Sequence, residues 1–103
     1  MKDDEARFTE HMRKTGRMLD RQADEKQAAL LESERAFIRR FKEVAQSLET
    51  ALSAPDHERL PLYSEYYDVI DSLHGGLFDL ANQAEDLEET EAGAARIRAK
   101  YGE

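Results

Sequence analysis

The sequence predicts an all-α protein built as a long antiparallel helical hairpin of coiled-coil type, completed to a four-helix bundle by dimerisation. Three observations carry this. Apolar residues recur at helical spacing on both sides of one interruption, that interruption holds both prolines, and 37 % of the 103 residues are charged while five are glycine. Such a composition suits long solvated helices, and no segment alternates with the two-residue period of a strand.

The first element is expected over residues 4–53. Phe8, Met12, Leu19, Leu30, Phe37, Phe41, Val44, Leu48 and Leu52, with Ala23 and Ala45 between them, fall within an arc of about 100° when each residue advances about 100°. Leu31 and Ile38 flank that stripe. Asp3 or Asp4 is the expected N-cap, and acidic residues suit the first turn because the helix macrodipole is positive there. The stop comes at Pro55 and Pro61, each of which disfavours helical geometry in the residue before it. This sets a loop over 54–60, His57 included, with Pro61 opening the next helix.

The second helix is expected over 61–90, with Leu62, Tyr66, Val69, Ile70, Leu73, Leu77, Leu80, Ala81, Ala84 and Leu87 on its core face. Gly75 and Gly76 interrupt it, yet the pattern continues in phase across them. Close approach to a neighbouring helix is the reading we adopt for this pair. After Glu88 to Gly93 the pattern weakens, and a short or frayed terminal helix is expected over 91–101. Phe8 and Met12 are then left without intramolecular cover. One domain accommodates all of this.

Composition also narrows function. With a net charge of −8, the chain repels phosphate, so nucleic acid and anionic membranes are not expected partners. A decoy imitating nucleic acid is a poor fit too, because Arg35, Arg39, Arg40 and Lys42 interrupt the acids. Cysteine is absent, which removes disulfides and thiolate metal sites. No apolar run approaches the length needed to span a bilayer, the start at Met1 to Glu5 is charged, and a cytoplasmic location is expected.

No catalytic constellation or cofactor site is expected: the serines lie outside any strand-to-helix elbow, and no phosphate-cradling glycine loop exists. The most suggestive polar motif is Asp68-x-x-Asp71-x-x-His74. On the helical projection Asp68 lies nearly opposite the core face and Asp71 on the polar side; only His74 approaches the boundary. Solvated charge is the plainer reading, and the Glu-x-x-His pair typical of carboxylate metal bundles is absent. A metal site built across subunits from Glu34, Glu65, Asp68, Asp71 and His74 is the alternative.

The expected function is therefore non-enzymatic, a helical module for protein–protein interaction. Tyr63, Tyr67 and Phe78, beside His74, widen the apolar arc of the second helix to about half its circumference, more than one antiparallel neighbour covers. They are the candidate partner-binding residues, for self-association as a dimer or for another helical protein. The cationic Arg35 to Lys42 segment and the acidic Glu85 to Glu91 run suit a role in choosing partner and register.

Overall fold

The computed structural model describes residues 2–56 and 58–102; His57 lies outside the described residues. Helix α1 spans Lys2–Ser53 and helix α2 spans Arg59–Tyr101, with no strand among the described residues. They form the antiparallel hairpin that the sequence predicts. Helix α1 starts before the expected N-cap, so Asp3, Asp4 and Glu5 all sit in its first turn, where their charge meets the positive end of the macrodipole.

The connection is shorter than expected. Ser53 ends α1, the Ala54 N–H donates to the Ala51 carbonyl at 3.3 Å, and the Leu62 N–H already donates to the Glu58 carbonyl at 3.4 Å. Pro61 therefore lies in the first turn of α2, where its missing N–H costs nothing.

Helix α2 also runs without a break past residue 90, and the separate terminal helix over 91–101 is not formed. Gly93 is tolerated because its Cα faces Leu19, whose Cδ1 lies 3.5 Å from where a Cβ would stand. The helix ends instead at Gly102, whose φ of 80° suits glycine. Its N–H donates to the Arg98 carbonyl at 2.9 Å, a left-handed C-terminal cap. Arg98 and Lys100 occupy the last turn, where the dipole favours cations.

Contacts divide the chain into two units, Met1–Leu30 with Asn82–Glu103 and Leu31–Ala81. In the first, beside the part-covered Arg13, Thr15, Asp20, Gln22, Ala84 and Gly93, the central line of covered positions is Thr9, Met12, Gly16, Leu19, Ala23, Lys26 and Leu30 of α1 and Leu87, Thr90, Ala94, Ile97 and Tyr101 of α2. Their spacing alternates three and four, the seven-residue repeat of a coiled coil. Small residues let the helices approach closely: a Cβ on Gly16 would stand 2.9 Å from Ile97 Cγ2. One polar cluster interrupts the seam. Lys26 Nζ donates to Thr90 Oγ1 at 2.9 Å and meets Asp86 Oδ2 at 3.0 Å, while the buried Thr90 hydroxyl donates to the Asp86 carbonyl at 3.0 Å. At the end of this unit Arg13 Nε donates to the Tyr101 carbonyl at 3.0 Å. The Phe8 ring meets the Tyr101 ring edge-on with centroids 5.9 Å apart, and Met12 is half-buried. Contrary to expectation both Phe8 and Met12 have an intramolecular neighbour, because α2 reaches Tyr101, although Phe8 stays 56 % exposed.

In the second unit the covered positions are Ser33, Phe37, Val44, Leu48 and Ala51 against Leu62, Tyr66, Val69, Leu73, Gly76 and Leu80. The same repeat holds in α2, and in α1 it passes through the exposed Arg40 and Ser47. Ser47 Oγ and Tyr66 Oη share a hydrogen bond of 2.5 Å. Of the glycine pair, Gly76 makes the close approach, with a Cβ site 3.2 Å from the Phe37 ring; Gly75 has nothing within 4 Å. Gly16 faces Ile97, Phe37 faces Gly76 and Ser47 faces Tyr66. The numbers of each facing pair add to the same total, so each unit taken by itself keeps one register.

The two kinds of glycine respond oppositely to a methyl group. Gly75→Ala removes a flexible residue from an open helix position and is expected to stabilise by about 1 kcal/mol, raising Tm by several degrees. Gly16→Ala drives a methyl into the β-branched Ile97, and overpacking of about 1–3 kcal/mol outweighs the propensity gain, so Tm falls. Thermal unfolding followed by circular dichroism checks both signs.

Candidate partner-binding face

The seven-residue repeat supplies the coordinates for the surface. With the covered seam as positions a and d, positions e and b form an adjoining stripe on one flank of each helix. In an antiparallel pair the e positions of both helices lie on the same side, as the Asp20–Arg98 ion pair at 2.5 Å shows for the first unit. There the e and b residues of α1 are Glu10, Arg13, Arg17, Asp20, Asp24 and Gln27, and those of α2 are Ala84, Glu88, Glu91, Ala95 and Arg98, followed by Gly102. This is a solvated face.

In the second unit the equivalent positions are mostly apolar, with Glu34 and His74 as the exceptions. Helix α1 contributes Leu31, Glu34, Ile38, Phe41, Ala45, Leu48 and Leu52; α2 contributes Leu60, Tyr63, Tyr67, Ile70, His74, Leu77 and Ala81. The pairs corresponding to Asp20–Arg98 are Phe41–Leu77 and Leu48–Ile70. Tyr67 is 72 % exposed, Phe78 64 %, Phe41 54 % and Ile70 52 %. With the other large side chains of this stripe, they leave on the order of 1,000 Å² of side chain uncovered, where the largest patch of a typical monomer is about 300–600 Å².

The candidate residues Tyr63, Tyr67 and His74 lie on this stripe, and Phe78 stands at its edge; all four are exposed. Six residues that the sequence analysis assigned to the covered stripes, Phe41, Ala45 and Leu52 of α1 and Ile70, Leu77 and Ala81 of α2, belong instead to the exposed face. Leu31 and Ile38, expected at the margin, are central to it. A projection at 100° per residue drifts about 20° per seven-residue repeat relative to the seam, so over a long helix it merges the two stripes into one. Strict three–four spacing separates them: 31, 34, 38, 41, 45, 48 and 52 in α1, and 60, 63, 67, 70, 74, 77 and 81 in α2.

Alongside the α1 stripe is an open depression of about 520 Å³ with Leu31 and Ile38 against Arg35, Arg39 and Lys42, and with Glu34 at its edge. The corresponding margin of α2 carries Asp68 and Asp71. Among the described residues, Arg35, Arg39, Lys42, Asp68 and Asp71 make no ion pair within the chain. The candidate metal ligands are dispersed: Glu34 and His74 lie on the apolar stripe, Asp68 and Asp71 on its polar margin, and Glu65 on the other flank of α2. Among the described residues no group of three or more ligating side chains could hold a metal ion. The concavity between Arg13, Gly16, Asp20 and Ile97 holds about 10 Å³, no more than a single water requires. No described helix is long and apolar enough to cross a membrane.

Two leucines one helical turn apart test the division between seam and face. Leu73, 9 % exposed, sits in the seam, whereas Leu77, 53 % exposed, sits on the face. Leu73→Ala is expected to cost about 2–3 kcal/mol, and Leu77→Ala less than about 1 kcal/mol, in denaturant unfolding of dilute protein. No family model matches this chain, and no curated protein and no solved structure matches it.

Proposed function

We propose that the chain is a non-enzymatic helical interaction module, an adaptor, assembly factor or regulator, that binds its partner through the apolar flank of residues 31–81. One observation carries the reading: equivalent positions of the same two helices are polar or small in one unit and mostly large and apolar in the other. A solubility requirement acting on the whole hairpin would keep both polar, since a large apolar patch left bare invites association. Apart from the part-buried Leu48, the apolar stripe is also not needed for the intrachain seam, which uses other residues. Its polar margin resembles the rim of a protein interface, where charge steers encounter and the apolar centre supplies affinity.

The test is comparative capture from native cells with the intact chain and with an Ile70→Glu/Leu77→Glu variant, after circular dichroism has shown equal helix content. The expected outcome is association, with the same chain or with another protein, that the substitutions reduce at least tenfold. Equal capture by the two proteins refutes the face as a binding surface.

A further inference from the structure

We propose that the occupant of this face is a second copy of the chain, joined about a two-fold axis parallel to the helices, so that α1 of each copy lies along α2 of the other and both connecting loops point the same way. The proposal rests on the reading of residues 31–81 as an interaction face and names its partner.

Charge selects the arrangement. The middle of the α1 margin is cationic through Arg35, Arg39 and Lys42, with Glu32 and Glu49 at its ends, and the α2 margin is anionic through Asp68 and Asp71. Two such faces can meet with two-fold symmetry in two ways. An axis across the helices lays α1 on α1 and α2 on α2, which confronts cation with cation and acid with acid. An axis along the helices lays α1 on α2 of the partner on both sides, and the cationic stretch of each α1 then meets the anionic stretch of the other copy's α2. Like-charge confrontation disfavours the first arrangement.

The register makes the second arrangement specific. An axis along the helices leaves heights unchanged, so a residue of α1 meets the level of α2 that it already faces within its own hairpin. Ser47 faces Tyr66; five residues away from the loop on each helix, Lys42 therefore stands level with the partner's Asp71. By the same count Arg35 stands level with the Phe78 ring of the second copy, where a guanidinium can lie over an aromatic face. The depression over Leu31 and Ile38 then receives an apolar helix edge with acidic flanks, which is what α2 presents. The side-chain surface exposed, on the order of 1,000 Å² per copy, is enough to supply the roughly 800 Å² per partner of a standard specific interface.

Sedimentation equilibrium of the full chain at tens of micromolar, a range that detects a modest interface, is expected to show a dimer. Lys42→Asp alone and Asp71→Lys alone should each weaken it roughly tenfold, since each creates two like-charge contacts. An equimolar mixture of the two variants should restore association as a heterodimer, visible by native mass spectrometry from their different masses. Tightening by Lys42→Asp, or no rescue on mixing, overturns the arrangement. A monomeric intact chain overturns self-association itself, while loss of capture by Ile70→Glu/Leu77→Glu would still uphold the face as a site for a different protein.

Discussion

Two helices can bury only the strip along which they touch, so the close contact between small residues on one helix and branched or aromatic residues on the other carries the rest of this structure. Gly16 against Ile97 and Gly76 against Phe37 show the geometry: a missing side chain on one helix receives a bulky one from its neighbour. That exchange brings the axes together, turns a thin strip into a dry seam, and fixes which residues lie beside it. Buried apolar residues such as Ala23, Val44, Leu73, Leu87 and Ala94 are correspondingly modest in size. The seam is narrow, and it leaves large side chains on the flank free for other work.

Polar interruptions keep the seam in one register. A coiled coil of uniform apolar positions can slip by one repeat at small cost, and a polar residue among them penalises the slip because its partner is lost. Lys26 makes this selection through Thr90 and Asp86, and Ser47 through Tyr66. The exposed Asp20–Arg98 pair adds little energy, as pairs of such exposure contribute about 0–1 kcal/mol, but it closes the flank of its unit with charge.

Much of the architecture was legible because it rests on local signals. Pro55 and Pro61 locate the turn through their own ring geometry, and Leu73, Val44 and Leu87 mark the interior through periodicity. What was not legible depended on long-range register. Gly93 looks like a helix terminator until Leu19 is brought alongside it, and Phe8 looks bare until α2 reaches Tyr101. The face was found in part. Tyr63, Tyr67, His74 and Phe78 stood outside the main stripe by type and angle, whereas Phe41, Leu52, Ile70 and Leu77 were hidden by a projection whose period differs slightly from that of the seam.

The hairpin register also grades the contacts by chain separation. Ser47 and Tyr66 are 19 residues apart, whereas Arg13 and Tyr101 are 88 apart. Closing the longer loop from an open chain costs about 1.4 kcal/mol more in entropy than closing the shorter one. Contacts beside the turn are therefore the least costly to nucleate, and each later layer extends a helix pair that is already aligned. Loop entropy therefore favours zipping from the turn outward, with the segment carrying the apolar flank the least costly to form first and the Arg13–Tyr101 clasp the most costly.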